Sequence, residues 1–73
     1  MNQQEILDII QAERRYQDNK WGGREHDIQH TTEEWASYMF KYLSRYIQSN
    51  GQDQIEALIK LVALGVAVLE LHD

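Results

Sequence analysis

The sequence predicts an all-α fold, a three-helix unit within one domain, and three observations carry that prediction. Apolar residues recur at i, i+3, i+4 and i+7 along three long segments. Two glycine-bearing breaks, Gly22-Gly23 and Asn50-Gly51, separate those segments. The chain has 73 residues, no proline and no low-complexity tract, so nothing divides it further. The expected architecture is an N-terminal helix, a glycine-started loop and a helical hairpin, forming a single unit over residues 1–73.

The first helix is expected from about Gln3 to about Lys20. Ile6, Ile9, Ile10 and Tyr16 give it an apolar face. Glu13 falls on that same face, where a carboxylate needs a partner such as an arginine or a backbone amide. Gly22 or Gly23 is placed to supply the left-handed residue that stops the helix. The loop "GGREHDIQH" follows.

The second helix opens at "TTEEW", where Thr31 and Glu34 fit a capping box. Trp35, Tyr38, Met39, Tyr42, Leu43, Tyr46 and Ile47 then repeat at helical spacing up to Asn50. Lys41 and Arg45 flank that stripe. The third helix is expected from Asp53, with Glu56 as a second cap-like partner, to about Leu71. Its apolar residues leave only a thin polar line through Glu56, Lys60 and Glu70, so it is buried on more than one side. Ala57, Ala63, Gly65 and Ala67 permit a close helix crossing. Two neighbouring helices cannot cover so apolar a surface, which places this helix at a subunit or partner interface.

Composition narrows the function. A chain this short has a marginal core without help from disulfides, metal or a partner. It contains no cysteine, which removes disulfides and thiolate zinc sites and fits a reducing cytoplasm. The start "MNQQEILDII" lacks the features of a secretory signal, and the apolar run of the third helix is interrupted by Lys60 and Glu70. A soluble cytoplasmic protein with no membrane partner is expected. The formal net charge of −5 repels a phosphate backbone, so direct sequence-specific nucleic-acid binding is not expected.

Arg14, Arg15, Lys20 and Arg24, with Trp21 among them, form the one basic cluster in the sequence. Surface solvation is its plain reading, but arginine with tryptophan is also the composition of interface hot spots. These five are the candidate partner-binding residues. Lys41 and Arg45 are the candidate anion-binding pair, weighed evenly against two solvated side chains. Lys60 is read as solvated and paired with Glu56 four residues before it, an arrangement worth about 0.3 kcal/mol. His26 and His30, in a loop with Asp27, offer too few ligands for zinc. Glu13 and Asp18 are read as ion-pair partners of Arg14, Arg15 or Arg24 rather than as an acid–base pair.

The segments "ERRYQDNKWGG" and "EHDIQHTTEEW" resemble the phage-associated MazG-like proteins of the all-α nucleoside triphosphate pyrophosphohydrolase superfamily. Glu13-Arg14, Gln17-Asp18, Lys20-Trp21-Gly22 and Glu33-Glu34-Trp35 match the family pattern, with Thr32 where proline is usual. The C-terminal "ALIKLVALGVAVLE" resembles the family's alanine-rich helix, so the likeness runs from Ile6 to Glu70. The resemblance implies a helical assembly, commonly dimeric, that holds magnesium on paired carboxylates. Counted from Trp35, the family's metal-binding glutamates fall on Lys41, Tyr42 and Arg45, and its Glu-x-x-Asp positions on Ala57 and Lys60. Cations do not ligate magnesium, so the resemblance implies a chain without a catalytic residue, metal or cofactor.

Two functions follow from this. The first is a non-catalytic interaction protein of phage type. It would bind and regulate a host protein machine, with bacterial RNA polymerase as the first candidate, and dimerise through its third helix. The second is a divergent pyrophosphohydrolase, or a metal-free nucleotide-binding protein using Lys41 and Arg45. Surviving hydrolysis would require Glu13, Glu33, Glu34, Glu56 and Glu70 to supply the ligands.

Overall fold

A computed structural model describes residues 1–72, and every regular element among them is helical. Helix α1 spans Gln3–Trp21, α2 Arg24–Asp27, α3 Thr32–Gln48 and α4 Gly51–Glu70. The expected three long helices are present, and the glycine-started loop contains one further helical turn.

Local chemistry accounts for most of the boundaries. The Asn2 side chain accepts from the Glu5 amide at 2.8 Å and opens α1. Gly22 closes it with φ +103°, its amide donating to the Asp18 carbonyl at 2.9 Å. At Gly23 φ is again positive, +70°, and the chain turns at once into α2. The amides of Asp27 and Ile28 donate back to Gly23 and Arg24 at 3.0 and 2.9 Å, which makes the loop a helical turn. The Thr31–Glu34 capping box is formed in both directions, at 3.1 and 3.0 Å.

The expected start of the last helix is corrected. It begins at Gly51 with Asn50 as cap residue and no side-chain capping bond, so Asp53 and Glu56 lie inside the helix. The turn is held from the other side, where Gln54 Nε2 donates to the Tyr46 carbonyl at 3.1 Å.

Helix α4 is the spine. At 20 residues it is about 30 Å long, against a longest molecular dimension of 33 Å. Both α1 and α3 pack chiefly on it. Ala57, Ala63 and Ala67 are 0, 0 and 1 % exposed, so small side chains sit where the helices approach most closely. Among the described residues only Ile10 and Trp35 complete the buried apolar set beyond them, and no large side chain is fully buried. The radius of gyration is 12.5 Å, above the roughly 11 Å of a compact globule of this length.

The faces of α4 turned away from its neighbours remain apolar. Ile55, Leu58, Val62 and Leu69 recur along one side and are 42, 41, 44 and 71 % exposed. Helix α3 carries a parallel case in Phe40, Leu43 and Ile47. No helix among the described residues is long and apolar enough to cross a membrane.

Candidate functional site

The chain's polar interior is assembled around Arg14. Arg14, Gln17 and Trp21 are spaced three and four apart and share one side of α1. Arg14 is only 7 % exposed. Its Nε and Nη2 meet the two Glu70 oxygens at 2.8 and 3.2 Å, a forked pair joining α1 to the end of α4. Nη2 also donates to Asp18 Oδ1 at 2.9 Å, and Nη1 to Gln17 Oε1 at 3.0 Å. The hydrogen bonds from Arg14 hold the Glu70 carboxyl below the usual glutamate range.

The candidate partner-binding group is therefore divided by the fold. Arg14 turns inward, where its forked guanidinium satisfies four carboxylate and amide oxygens at once. Arg24 caps the end of α4 by donating to the Glu70 carbonyl at 2.9 Å. Arg15, Lys20 and Trp21 remain exposed. Lys20 lies over the Trp21 ring at 4.8 Å and near Tyr16 at 5.8 Å.

Two ion-pair expectations are also corrected. Glu13 is partnered by Lys60, Nζ to Oε2 3.3 Å, and not by an arginine or a backbone amide. Lys60 accordingly leaves Glu56 and crosses from α4 to α1, with Tyr16 beneath it at 5.3 Å. The cross-helix pair wins because both side chains are mostly shielded there, 26 and 16 % exposed, where the attraction is less screened than on a helix surface.

Next to Arg14 is a cavity of about 210 Å³. Trp21 of α1 stacks on His26, ring centres 6.0 Å apart and planes inclined by 20°. His30 meets Trp35 and Tyr38 edge-on, each at 5.3 Å. The Nε2 atoms of His26 and His30 are 3.0 Å apart, so one ring donates and the other accepts. Leu64 and Ala67 of α4 close the apolar side. Lys41 stands at the α3 wall beside Tyr42, its ammonium 5.5 Å from that ring.

Two groups give this cavity a polar end. Gln17 and Asp27 are each 8 % exposed and both line it. Gln17 spends its carbonyl oxygen on Arg14, which leaves its amide N–H free to donate. Among the described residues Asp27 has one salt-bridge partner, Arg14, Nη2 to Oδ2 3.7 Å, too long for a hydrogen bond. Burial pushes the Asp27 carboxyl above its ordinary range, and Arg14 offsets this only in part.

Of the candidate anion pair, Lys41 lines this cavity and Arg45 does not. Both are exposed on α3. Among the described residues no group of three or more His, Asp or Glu is placed to hold a metal ion. Sequence reasoning did not find Gln17, Asp27 or Tyr38 as cavity residues. For Gln17 the signal was the i, i+3, i+7 pattern Arg14/Gln17/Trp21, a line on α1 that continues from Ile10; Asp27 and Tyr38 had none.

The chain matches no protein-family model, no curated protein and no solved structure.

Proposed function

We propose that this chain is a non-catalytic helical interaction protein. It self-associates through the outer face of α4, and in that form binds and regulates a larger host protein machine. The observation that carries the reading is the apolar stripe Ile55, Leu58, Val62 and Leu69, an exposed face on the helix that already forms the spine. The accessible surface is 5444 Å², against about 4700 Å² for a folded monomer of this mass. The excess of roughly 700 Å² is close to the ~800 Å² each partner contributes to a standard interface.

A second copy suits the stripe because it carries no ionisable side chain and its two ends, Ile55 and Leu69, each lie seven residues from Val62. An antiparallel two-fold pairing sets Ile55 against the second copy's Leu69 and opposes the helix dipoles. Sedimentation equilibrium at micromolar concentration is expected to give a dimer. Val62→Lys is expected to give a monomer of unchanged helicity. A wild-type monomer at those concentrations would overturn the self-association.

The resemblance to MazG-like phage proteins supports a host target, and small size with a charge of −5 suits the basic channels of nucleic-acid machines. Bacterial RNA polymerase is the first candidate on those grounds. Purified polymerase is expected to be retained by the tagged chain. Retention should be lost in an Arg15→Glu, Lys20→Glu variant, which alters the outward part of the basic group. Equal retention by both forms would remove that surface from the reading.

A second reading, metal-free nucleotide binding, is favoured by Lys41 at the edge of an aromatic cavity. A divergent pyrophosphohydrolase is tested by magnesium-dependent pyrophosphate release from a nucleotide panel. None is expected. Release abolished by Glu33→Gln or Glu56→Gln would replace the interaction reading with an enzymatic one.

A further inference from the structure

The cavity beside Arg14 has a polarity that selects its occupant. A cation is disfavoured because Arg14 and Lys41 already line it, and an anion is disfavoured at its deep end by the buried Asp27 carboxylate. Trp21, Trp35 and Tyr38 offer faces and edges to a flat ring. Its size, about 210 Å³, lies above the ~150 Å³ of a cavity that holds benzene and below the ~300 Å³ of drug-sized sites. One flat heterocycle fits that interval.

The polar end then reads the edge of that ring. Gln17 has a free amide N–H, and Asp27 has carboxylate oxygens without a hydrogen-bond donor among the described residues. They sit on the two outer nitrogens of one guanidinium, Gln17 on Nη1 and Asp27 near Nη2. Between them they offer the ligand an amide donor and two carboxylate acceptors. The complementary ligand edge is a carbonyl oxygen next to two N–H donors. We propose that the cavity binds a guanine-type base, its carbonyl on the Gln17 amide and its adjacent ring and exocyclic N–H groups on the Asp27 carboxylate. Any phosphate the ligand carries meets Lys41 at the rim.

This inference rests on the second reading above and names its ligand class. Stacking alone tolerates every base, so discrimination must come from Asp27 and Gln17. Adenine offers an N–H edge of the wrong order, and hypoxanthine lacks the exocyclic amine.

The test is calorimetric titration of the full chain with guanosine, guanosine monophosphate, inosine, adenosine and cytidine. Guanosine is expected to bind, with inosine about 10- to 100-fold weaker, the worth of one hydrogen bond to a charged acceptor. Adenosine and cytidine are expected to be at least as weak as inosine. Lys41→Ala should weaken the monophosphate and leave guanosine unchanged, whereas equal weakening of both would remove the phosphate from the proposal. In Asp27→Asn the amide N–H now donates, so guanosine should be lost and xanthosine, with a carbonyl in place of the amine, gained. If that variant does not fold by circular dichroism, the wild-type panel decides alone. Adenosine binding as tightly as guanosine would overturn the Asp27 assignment and leave nucleotide binding standing. Binding of none of the five would overturn both.

Discussion

Replacing Arg14 with methionine tests whether the buried guanidinium organises the interior. Methionine matches much of the apolar stem, so the packing loss is small and the polar loss dominates. Four hydrogen bonds go, to both Glu70 oxygens, Asp18 and Gln17. Glu70 and Asp18 have side chains 51 and 43 % exposed and rehydrate, so the loss stays below the ~3–5 kcal/mol of breaking a wholly buried pair. Gln17 and Asp27, each 8 % exposed, are left without their cation. Stranding such groups costs about 1–3 kcal/mol, and the total expected is about 2–3 kcal/mol. For a domain of this size that lowers Tm by roughly 10–20 °C.

The pH dependence gives the sharper signature. The Glu70 carboxyl is held below its ordinary range by Arg14, so the pair's stabilisation is present above the unfolded glutamate pKa. It is lost as pH falls through the depressed folded value. Asp27, already raised by burial, rises further without Arg14, so the variant relieves its stranded carboxylate by protonating it as pH falls. Both effects close the gap between wild type and Arg14→Met as the solution is acidified. The assay is urea unfolding followed by helical circular dichroism at fixed concentration, from neutral pH to about pH 3. A gap below about 0.5 kcal/mol at neutral pH, or one constant with pH, would refute the reasoning.

Other outcomes follow from the same geometry. Gly22→Ala forces a side chain onto φ +103°. With His26 Cβ at an ordinary 3.6 Å the cost is backbone strain, about 1–2 kcal/mol in urea unfolding. Thr31→Ala removes one half of the capping box and should lower stability by about 1 kcal/mol. Ala63→Leu overfills the closest part of the α4 crossing, where Ala63 is 0 % exposed, and should destabilise by about 1–3 kcal/mol or shift the helix. Asp27→Asn should raise Tm at neutral pH. The buried carboxylate costs the folded state increasingly as pH rises from the ordinary aspartate value through the raised one. The gain should vanish at pH values below that ordinary value, and a destabilised variant at neutral pH would contradict the sign.

Among these features, those made by residues three or four apart were legible in the sequence. The three long helices, the Gly22 stop and the Thr31–Glu34 box depend on side chains and amides within one turn, so spacing alone identifies them. The α4 start was misread because Asp53 and Glu56 have the right spacing, but Asn50-Gly51 ends the loop two residues earlier. The short α2 escaped because its four residues, Arg24–Asp27, are all polar and carry no apolar period.

What the sequence by itself determined is that the chain is helical, that its last long helix is too apolar for two neighbours, and that alanines mark its crossing. Only the tertiary structure decided which charges are interior. Arg14 meets Glu70 across 56 residues, and Lys60 meets Glu13 across 47. Local spacing contains no information about such pairs, and a basic cluster reads as surface until packing shows one member enclosed. The cavity has the same origin. Gln17, Asp27, His30 and Trp35 come from α1, α2, the loop after it and α3, and their shared enclosure exists only once α1 and α3 are both laid against α4.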